Sequence, residues 1–258
     1  RLPLHHGEQL SGVQTDDIDL RWRTIGQRLV EAGYQSHWYG KGHTGYMSVN
    51  HLPTKIGFPH GFAGFLGGAQ SYHATERWHL DAPMVDNTTY STQLYGDYAL
   101  RALERYDPDN ADGAPLFMYL PFQATHEPYT NPPGWNGTDA QCDIKGIEPD
   151  CTIYGMLDDC DSYVGRLTAM LKAKGMWNNS LIVYSADNGG ITDGCNYPLR
   201  GAKHTNWEGG MRAAAFVSGG LVPEALRGTT SNLIAHVADW YPTLLKRAGL
   251  DPSDDPPV

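Results

Sequence analysis

Strand-length apolar runs alternate with helical stretches along this chain, and that alternation constrains the fold more than any other feature. Pro115 to Phe122 is an apolar run bounded by turn residues, the pattern of a strand buried on both faces. Leu181 to Ser185 and Ala213 to Ser218 read as two more buried strands, and Tyr34 to Tyr39 as a short one. Helices are expected between and beside them. Trp22, Ile25 and Leu29 recur at helical spacing within Asp17 to Ala32, and Gly33 is placed to end that segment. Tyr90 to Tyr106 is a second helical stretch. The clearest helix is Ile153 to Lys174, where Met156, Cys160, Tyr163, Val164, Leu167 and Leu171 line one face and Gly175 comes next as a cap. A last one runs from Leu233 to Ala248, with Pro242 starting its second half, since proline suits a helix's first turn. Residues 45–90 and Tyr129 to Pro149 read as loops. The pattern predicts an α/β fold whose mostly parallel sheet is covered by helices on both faces. Such sheets place their chemistry in the crevice beyond the carboxyl ends of the strands.

The chain has 258 residues, enough for one large α/β domain or two small ones, and at 40% hydrophobic it can bury a core. A formal charge of -10 disfavours nucleic acid as a partner. No apolar run approaches the ~18 residues of a membrane span. The sequence opens on Arg1 rather than Met, so the lack of a signal peptide carries no information. The cysteines are Cys142, Cys151, Cys160 and Cys195, whose spacings fit no zinc template. Cys142 and Cys151 flank a polar loop suited to a local disulfide, although sequence cannot choose among the pairings. Cys160 lies on a helical apolar face and reads as a buried free thiol. N-x-S/T triplets at Asn87, Asn136 and Asn178 point weakly to a secreted protein.

Four clusters carry chemistry, each just after an expected strand or on the loop beyond it. Gly40-Lys41-Gly42-His43 sets a fixed cation and a proton relay two residues apart on a Gly-flanked loop. Thr125-His126-Glu127-Pro128 places a histidine where proline holds the preceding residue extended, suited to a hydrogen-bond donor or general acid. Asp187-Asn188-Gly189-Gly190 offers a carboxylate beside an amide carbonyl, hard oxygen ligands that favour calcium or magnesium over zinc. Pro198 to Lys203, with Trp207 to Arg212 behind it, sets cations on a Gly-rich loop in an otherwise acidic protein. Read alone, the first cluster is better explained as a surface turn and the second equally well as a loop cap, while the third, at a buried strand's end, leans towards a metal site and the fourth stands out against the acidic composition. Together they supply what a sulfate ester requires: cations and a metal for its charged oxygens, and a proton for the leaving oxygen.

In that order, the segment Gly33 to His43, Thr125-His126-Glu127-Pro128, Ala186-Asp187-Asn188-Gly189-Gly190 and the stretch Pro198 to Arg212 resemble the motifs of the type I, formylglycine-dependent sulfatases, with the arylsulfatase B-like branch nearest. The resemblance implies an alkaline-phosphatase-like α/β fold, one calcium (magnesium as the alternative) and a formylglycine nucleophile. It implies that Asp187 and Asn188 are metal ligands, and that Lys41 bridges nucleophile and sulfate. His43 would hydrogen-bond the formylglycine hydrate and act as base in the step that expels sulfate. His126 and Lys203 would bind sulfate and assist the leaving group. These six residues are expected to converge beyond the strand ends. The implied partner is a sulfate-ester small molecule or a sulfated glycan, and the implied location secreted, lysosomal or periplasmic. Gly42 stands where an aromatic residue is usual, and Tyr39 where a small or aliphatic one is. Arg1 to Gly7 resembles the family's segment just past its C-x-P-S-R motif, and no cysteine of this chain stands in that pattern. The expectation is therefore that residues 1–258 are a partial sulfatase catalytic domain, lacking the nucleophile segment and a small C-terminal domain, and inactive alone. The alternatives are a metal-dependent phosphoesterase of the same superfamily and a non-catalytic secreted protein that binds sulfated glycans.

Overall fold

The computed structural model describes residues 17–68, 70–73, 76–84, 88–109, 113–135, 151–191 and 194–253. Cys142 and the triplets at Asn87 and Asn136 thus lie outside the described residues. The chain forms two compact units, Arg1–Pro128 with Asn232–Val258, and Tyr129–Ser231.

In the first unit, α1 (Ile25–Glu31) begins at a capping box. Thr24 Oγ1 accepts from Gln27 N at 3.1 Å while Gln27 Oε1 accepts from Thr24 N at 2.8 Å. This reciprocal pair starts the helix eight residues later than the apolar spacing alone predicts. Asp17 is used elsewhere: its carboxylate accepts from Met47 N at 2.9 and 3.0 Å, and its backbone bridges Gly45. Gly33, at φ +86°, ends the helix and delivers the chain into β1 (Gln35–Lys41).

β1 is the centre of the unit. It pairs in parallel with β2 (Gly61–Phe65) on one side and with β5 (Leu116–Tyr119) on the other. Two-residue strands β3 (Trp78–His79) and β4 (Ala82–Pro83) add an antiparallel margin, giving the order β4-β3-β2-β1-β5. Residues alternate between the faces of β1. Trp38 packs edge-on against Phe58, Phe62 and Tyr119 in a core that includes Leu52, Ile56 and Leu66. On the other face Tyr39 stacks on Tyr98 of α2 (Ser91–Arg105), with ring centroids 5.8 Å apart.

β2 corrects the expectation that residues 45–90 are loops. Gly61-Phe62-Ala63-Gly64-Phe65 is fully buried yet has little side-chain signal. Its glycines are required by close approach: a Cβ on Gly64 would stand 2.0 Å from Gly40 O, and one on Gly61 2.4 Å from Tyr39 Oη. β5 also differs from expectation. It is half-buried rather than buried: among the described residues it is the margin of the sheet and has β1 alone as a neighbour. Near the end of the chain, the helix expected from Leu233 is α4 (Trp240–Arg247), preceded by a 3-10 turn over Val237–Asp239. Leu233 and Ile234 are exposed, so their apolar character does not mark a helix face. Pro242 falls in the first turn of α4, where its missing N–H costs no intrahelical bond.

The second unit is built on α3 (Cys151–Ala173), with Met156, Cys160 and Tyr163 buried along one face and Gly175 at φ +70° beyond its end. Val164, Leu167 and Leu171 on the same face are half-buried. Cys151 is disulfide-bonded, while Cys160 is a buried free thiol, as its place on the helix predicts. β6 (Ile182–Ser185) pairs with β7 (Ala215–Ser218) in an antiparallel ribbon. Both are expected from sequence to be buried strands. As a two-stranded ribbon, each has one neighbour among the described residues, and β7 is largely exposed.

His37 ties burial to pH. Burial, and then the charge of nearby His60, push it down to about 4 from an ordinary 6.5, and its Nδ1 lies 3.0 Å from Tyr39 Oη. A depressed folded-state value means the unfolded chain binds the proton more readily. Stability from this residue is therefore complete above about pH 6.5 and declines as pH falls towards 4. Denaturant unfolding of wild type and His37→Gln across that window should show the variant with a shallower acid slope; parallel slopes would dismiss His37 as the cause.

Candidate active site

Lys41 is the last residue of β1, and the chain beyond it threads between two other strand ends. Lys41 N donates to Pro121 O at 2.8 Å, Gly42 N to Phe65 O at 2.7 Å and His43 N to Leu66 O at 3.0 Å. The ladder thus continues past the formal end of the sheet, to the segments after β5 and β2. It can do so because Gly40, at φ +131°, has no Cβ: one built there would lie 2.0 Å from Pro121 O. Gly42 is similarly confined, with a Cβ falling 2.8 Å from Phe65 O. An aromatic side chain has no room there, which accounts for glycine at that position. His43 adopts φ 56°, a left-handed conformation unusual for a side-chain-bearing residue and of the kind that collects at functional sites. Its ring is exposed and lies over Gly68, where a Cβ would stand 3.0 Å from Cε1 and Nε2.

His126 lies beyond the carboxyl end of β5, which runs parallel to β1, so it leaves the same edge of the sheet as Lys41 and His43. It is half-buried and its backbone is held on both sides. N donates to Gln123 O at 2.9 Å, and O accepts from Tyr72 Oη at 2.9 Å. The ring is fixed as well, with Nδ1 2.7 Å from Glu127 O. A carbonyl only accepts, so Nδ1 carries the proton in this bond. In the neutral ring the acceptor lone pair is then on Nε2.

In the second unit, Asp187 and Asn188 lie just beyond β6, and Lys203 lies on the loop after Pro198. Backbone hydrogen bonds lace the two loops together. Lys203 N donates to Gly190 O at 2.9 Å, Gly189 N to Gly210 O at 3.0 Å and Gly209 N to Arg200 O at 2.8 Å. Asn196 clasps the assembly with its amide: Oδ1 accepts from Gly190 N at 2.8 Å, and Nδ2 donates to Gly190 O at 2.9 Å and Gly201 O at 3.3 Å. Close approach again sets the geometry, since a Cβ on Gly189 would stand 1.9 Å from Gly209 O. Arg200 stacks over Trp207, its Cζ 3.9 Å from the ring centroid. The loops after β6 therefore join a carboxylate, an amide and a half-buried lysine.

The donor chemistry of Asp187 and Asn188 fits a hard divalent cation in part. Asp187 is exposed, and Asn188 Nδ2 donates to Gly189 O at 3.0 Å, which leaves Oδ1 as the amide's acceptor. Calcium takes six to eight oxygens, so the pair is an incomplete set. Among the described residues no three His, Cys, Asp or Glu side chains are grouped to hold a metal.

Lys41, His43 and His126 thus share one sheet edge in the first unit, while Asp187, Asn188 and Lys203 share one laced loop cluster in the second. Sequence reasoning misses the residues that hold them: Tyr72, Gln123 and Asn196. Asn196 stands in a loop without periodicity. Tyr72 lies 54 residues from the carbonyl it reaches. No local pattern marks either.

Comparison with known proteins gives the family and the fold. The Sulfatase family model matches residues 2–250. Mouse arylsulfatase J is 35% identical over 266 residues, covering 95% of this chain and 42% of that protein. Mouse N-acetylgalactosamine-6-sulfatase is 26% identical over 249 residues, covering 88% of this chain and 45% of its own length. The chain thus spans less than half of each relative. Among solved structures, Ps i-CgsB in complex with k-i-k-neocarrahexaose superposes with a TM-score of 0.79 at 25% identity, over 97% of this chain and 59% of that one. The PsFucS1 sulfatase from Pseudoalteromonas sp. gives 0.71 at 21% identity, over 97% and 56%, a likeness of fold. With the family match running almost end to end, this chain belongs to the sulfatase family.

Proposed function

We propose that this chain supplies the sulfate-binding and leaving-group machinery of a sulfate-ester hydrolase acting on an aryl sulfate or a sulfated glycan. One observation carries the reading. The 2.9 Å bond from the Lys203 backbone N–H to Gly190 O brings the loop that carries this lysine beside the loop that carries Asp187 and Asn188. A lysine on a loop laced to hard oxygen ligands is what a charged ester oxygen and a divalent cation call for.

Roles follow from the chemistry of each group. Lys41 and Lys203 hold sulfate oxygens and stabilise charge as the S–O bond to the leaving group breaks. His126, when cationic, gives the Nε2 proton to the departing oxygen. It is left as the neutral tautomer with hydrogen on Nδ1, the form that the bond to Glu127 O already favours. His43 accepts a proton when sulfate is expelled. The nucleophile in this reading is a formylglycine hydrate outside the residues of this chain, because no cysteine here stands in the required pattern. Asp187 and Asn188 would be two of the ligands of a calcium ion, with magnesium as the alternative, whose positive charge would polarise the sulfate oxygens. The disulfide bond of Cys151 supports an oxidising compartment such as the secretory route, the lysosome or the periplasm.

The test joins this chain to the nucleophile-bearing segment of a sulfatase and measures sulfate release from aryl sulfates. Lys203→Ala should lose a factor on the order of 10²–10³, the effect of one donor at a developing charge. His126→Ala should lose roughly 10²–10⁴ and should hurt poor leaving groups most. A correctly modified protein that stays fully active without both residues would sink this reading. Phosphate release in place of sulfate would favour the phosphoesterase, and binding of sulfated sugars without turnover would favour the non-catalytic relative. For the metal, Asp187→Ala should weaken calcium binding, measured by equilibrium dialysis, by at least about 10-fold, the low end even for an indirect partner of a ligand. Unchanged affinity would remove Asp187 from the ligand set.

A further inference from the structure

His126 is held by a buried polar network that reaches back to the start of α2 and meets the histidine at two points. Tyr72 is fully buried and stacks on Tyr90, with centroids 5.0 Å apart and planes inclined by 21°. Its Oη donates to His126 O at 2.9 Å. Its own carbonyl is gripped in turn. Arg77 Nη2 donates to Tyr72 O at 2.8 Å, Ser91 N at 2.9 Å, and Ser91 Oγ lies 3.1 Å away. Ser91 Oγ also lies 3.3 Å from Gln123 Oε1, so one hydroxyl proton serves two acceptors. Gln123, 2% exposed, donates through Nε2 to Gln70 O, and its own carbonyl accepts the His126 N–H. Both ends of the His126 peptide are therefore anchored in one buried set of groups: the N–H through Gln123, the carbonyl through Tyr72.

The cost of assembling this set indicates a purpose beyond loop packing. Arg77 is a guanidinium with no exposed surface, and burying a cation is costly even where its hydrogen bonds are made. A loop that had only to close the end of β5 could do so with apolar contacts. An imidazole that must meet a leaving oxygen within hydrogen-bond reach needs its backbone fixed first, because the ring swings with it. The Nδ1 bond to Glu127 O sets the ring's rotation, and Tyr72 and Gln123 set the peptide that carries it.

We propose that Tyr72, with Ser91 and Arg77 behind it, is a positioning residue for His126 and sets how well that histidine protonates the leaving group. The inference rests on the reading of His126 as the general acid. Tyr72 touches no substrate in this account and acts only through the histidine.

The experiment uses the chain joined to its nucleophile segment, with formylglycine formed, and compares 4-nitrophenyl sulfate, an activated ester, with phenyl sulfate, a poor one. Tyr72→Phe retains the ring stacked on Tyr90 and removes only the hydroxyl. Its kcat on phenyl sulfate should fall roughly 10-fold, the scale of one lost buried hydrogen bond, while kcat on 4-nitrophenyl sulfate and both KM values stay within about 2-fold. In a His126→Ala background the Tyr72→Phe effect should vanish, since the two act as one unit. An equal loss on both esters, or an undiminished loss in the His126→Ala background, overturns the proposal and leaves Tyr72 a structural residue. If His126→Ala shows no dependence on the leaving group, the acid assignment fails and the positioning role fails with it, an outcome visible before Tyr72 is altered. Should Tyr72→Phe fail to fold by thermal melting, Ser91→Ala goes through the same assays and must show the same leaving-group pattern.

Discussion

Backbone lies against backbone at the end of β1 and in the loops after β6, and the placing of Lys41 and Lys203 depends on that closeness. At the end of β1, the carbonyl of Pro121 occupies the space a side chain on Gly40 would need. In the loops after β6, the carbonyl of Gly209 does the same at Gly189. Each approach lets amide hydrogen bonds continue past the formal end of a strand. A loop laced in this way behaves as an extension of the sheet, so Lys41 and Lys203 stand on rigid supports although neither lies within a sheet interior. Rigid support matters here because a cation stabilises a developing charge only if it is already in place when the charge appears.

The two clusters solve the same electrostatic problem with different means. The chain carries a formal charge of -10, which would repel the anionic substrate proposed above at long range. The loop from Pro198 to Arg212 offsets this locally with Arg200, Lys203 and Arg212. Arg200 is steadied by stacking on Trp207, while Arg212 has Glu208 4.0 Å away across one helical turn. In the first unit the positive charge at the sheet edge comes from Lys41, with His43 and His126 beside the same edge. His126 gains orientation from bonds at its N–H, its carbonyl and its ring. His43 gains it from a left-handed backbone. A histidine on a flexible turn would have neither.

The fold is legible in the sequence where one periodicity runs unbroken. α3 shows its buried face in Met156, Cys160 and Tyr163 at helical spacing, and Gly175 marks its end. β1 is legible for the same reason, although it runs two residues further than its apolar run suggests. Legibility fails where side chains carry little signal. β2 has glycine at two of its five positions because its neighbours come too close for a Cβ, so no alternation survives to be read. α1 is shorter than its apolar spacing suggests, because the Thr24–Gln27 capping box overrides that spacing; the box is itself a sequence signal and marks the true start. β6 and β7 look apolar and read as buried, yet burial depends on how many strands lie beside them.

By itself, the sequence determined the chemistry available to this protein. Lys41, His43, His126, Asp187, Asn188 and Lys203 stand out as candidates because glycine, proline and strand-length runs mark loop positions after strands, and because their segments in order resemble sulfatase motifs. Those are local features, and local features are written in consecutive residues. Tertiary structure alone decided what holds them. The hydroxyl of Tyr72 meets the carbonyl of His126 across 54 residues, and Asn196 closes a loop by reaching backbone rather than side chains. A contact to a backbone carbonyl leaves no mark on the residue that is contacted, because every residue has one. The supports of this site are therefore silent in the sequence, and the side chains they hold are not.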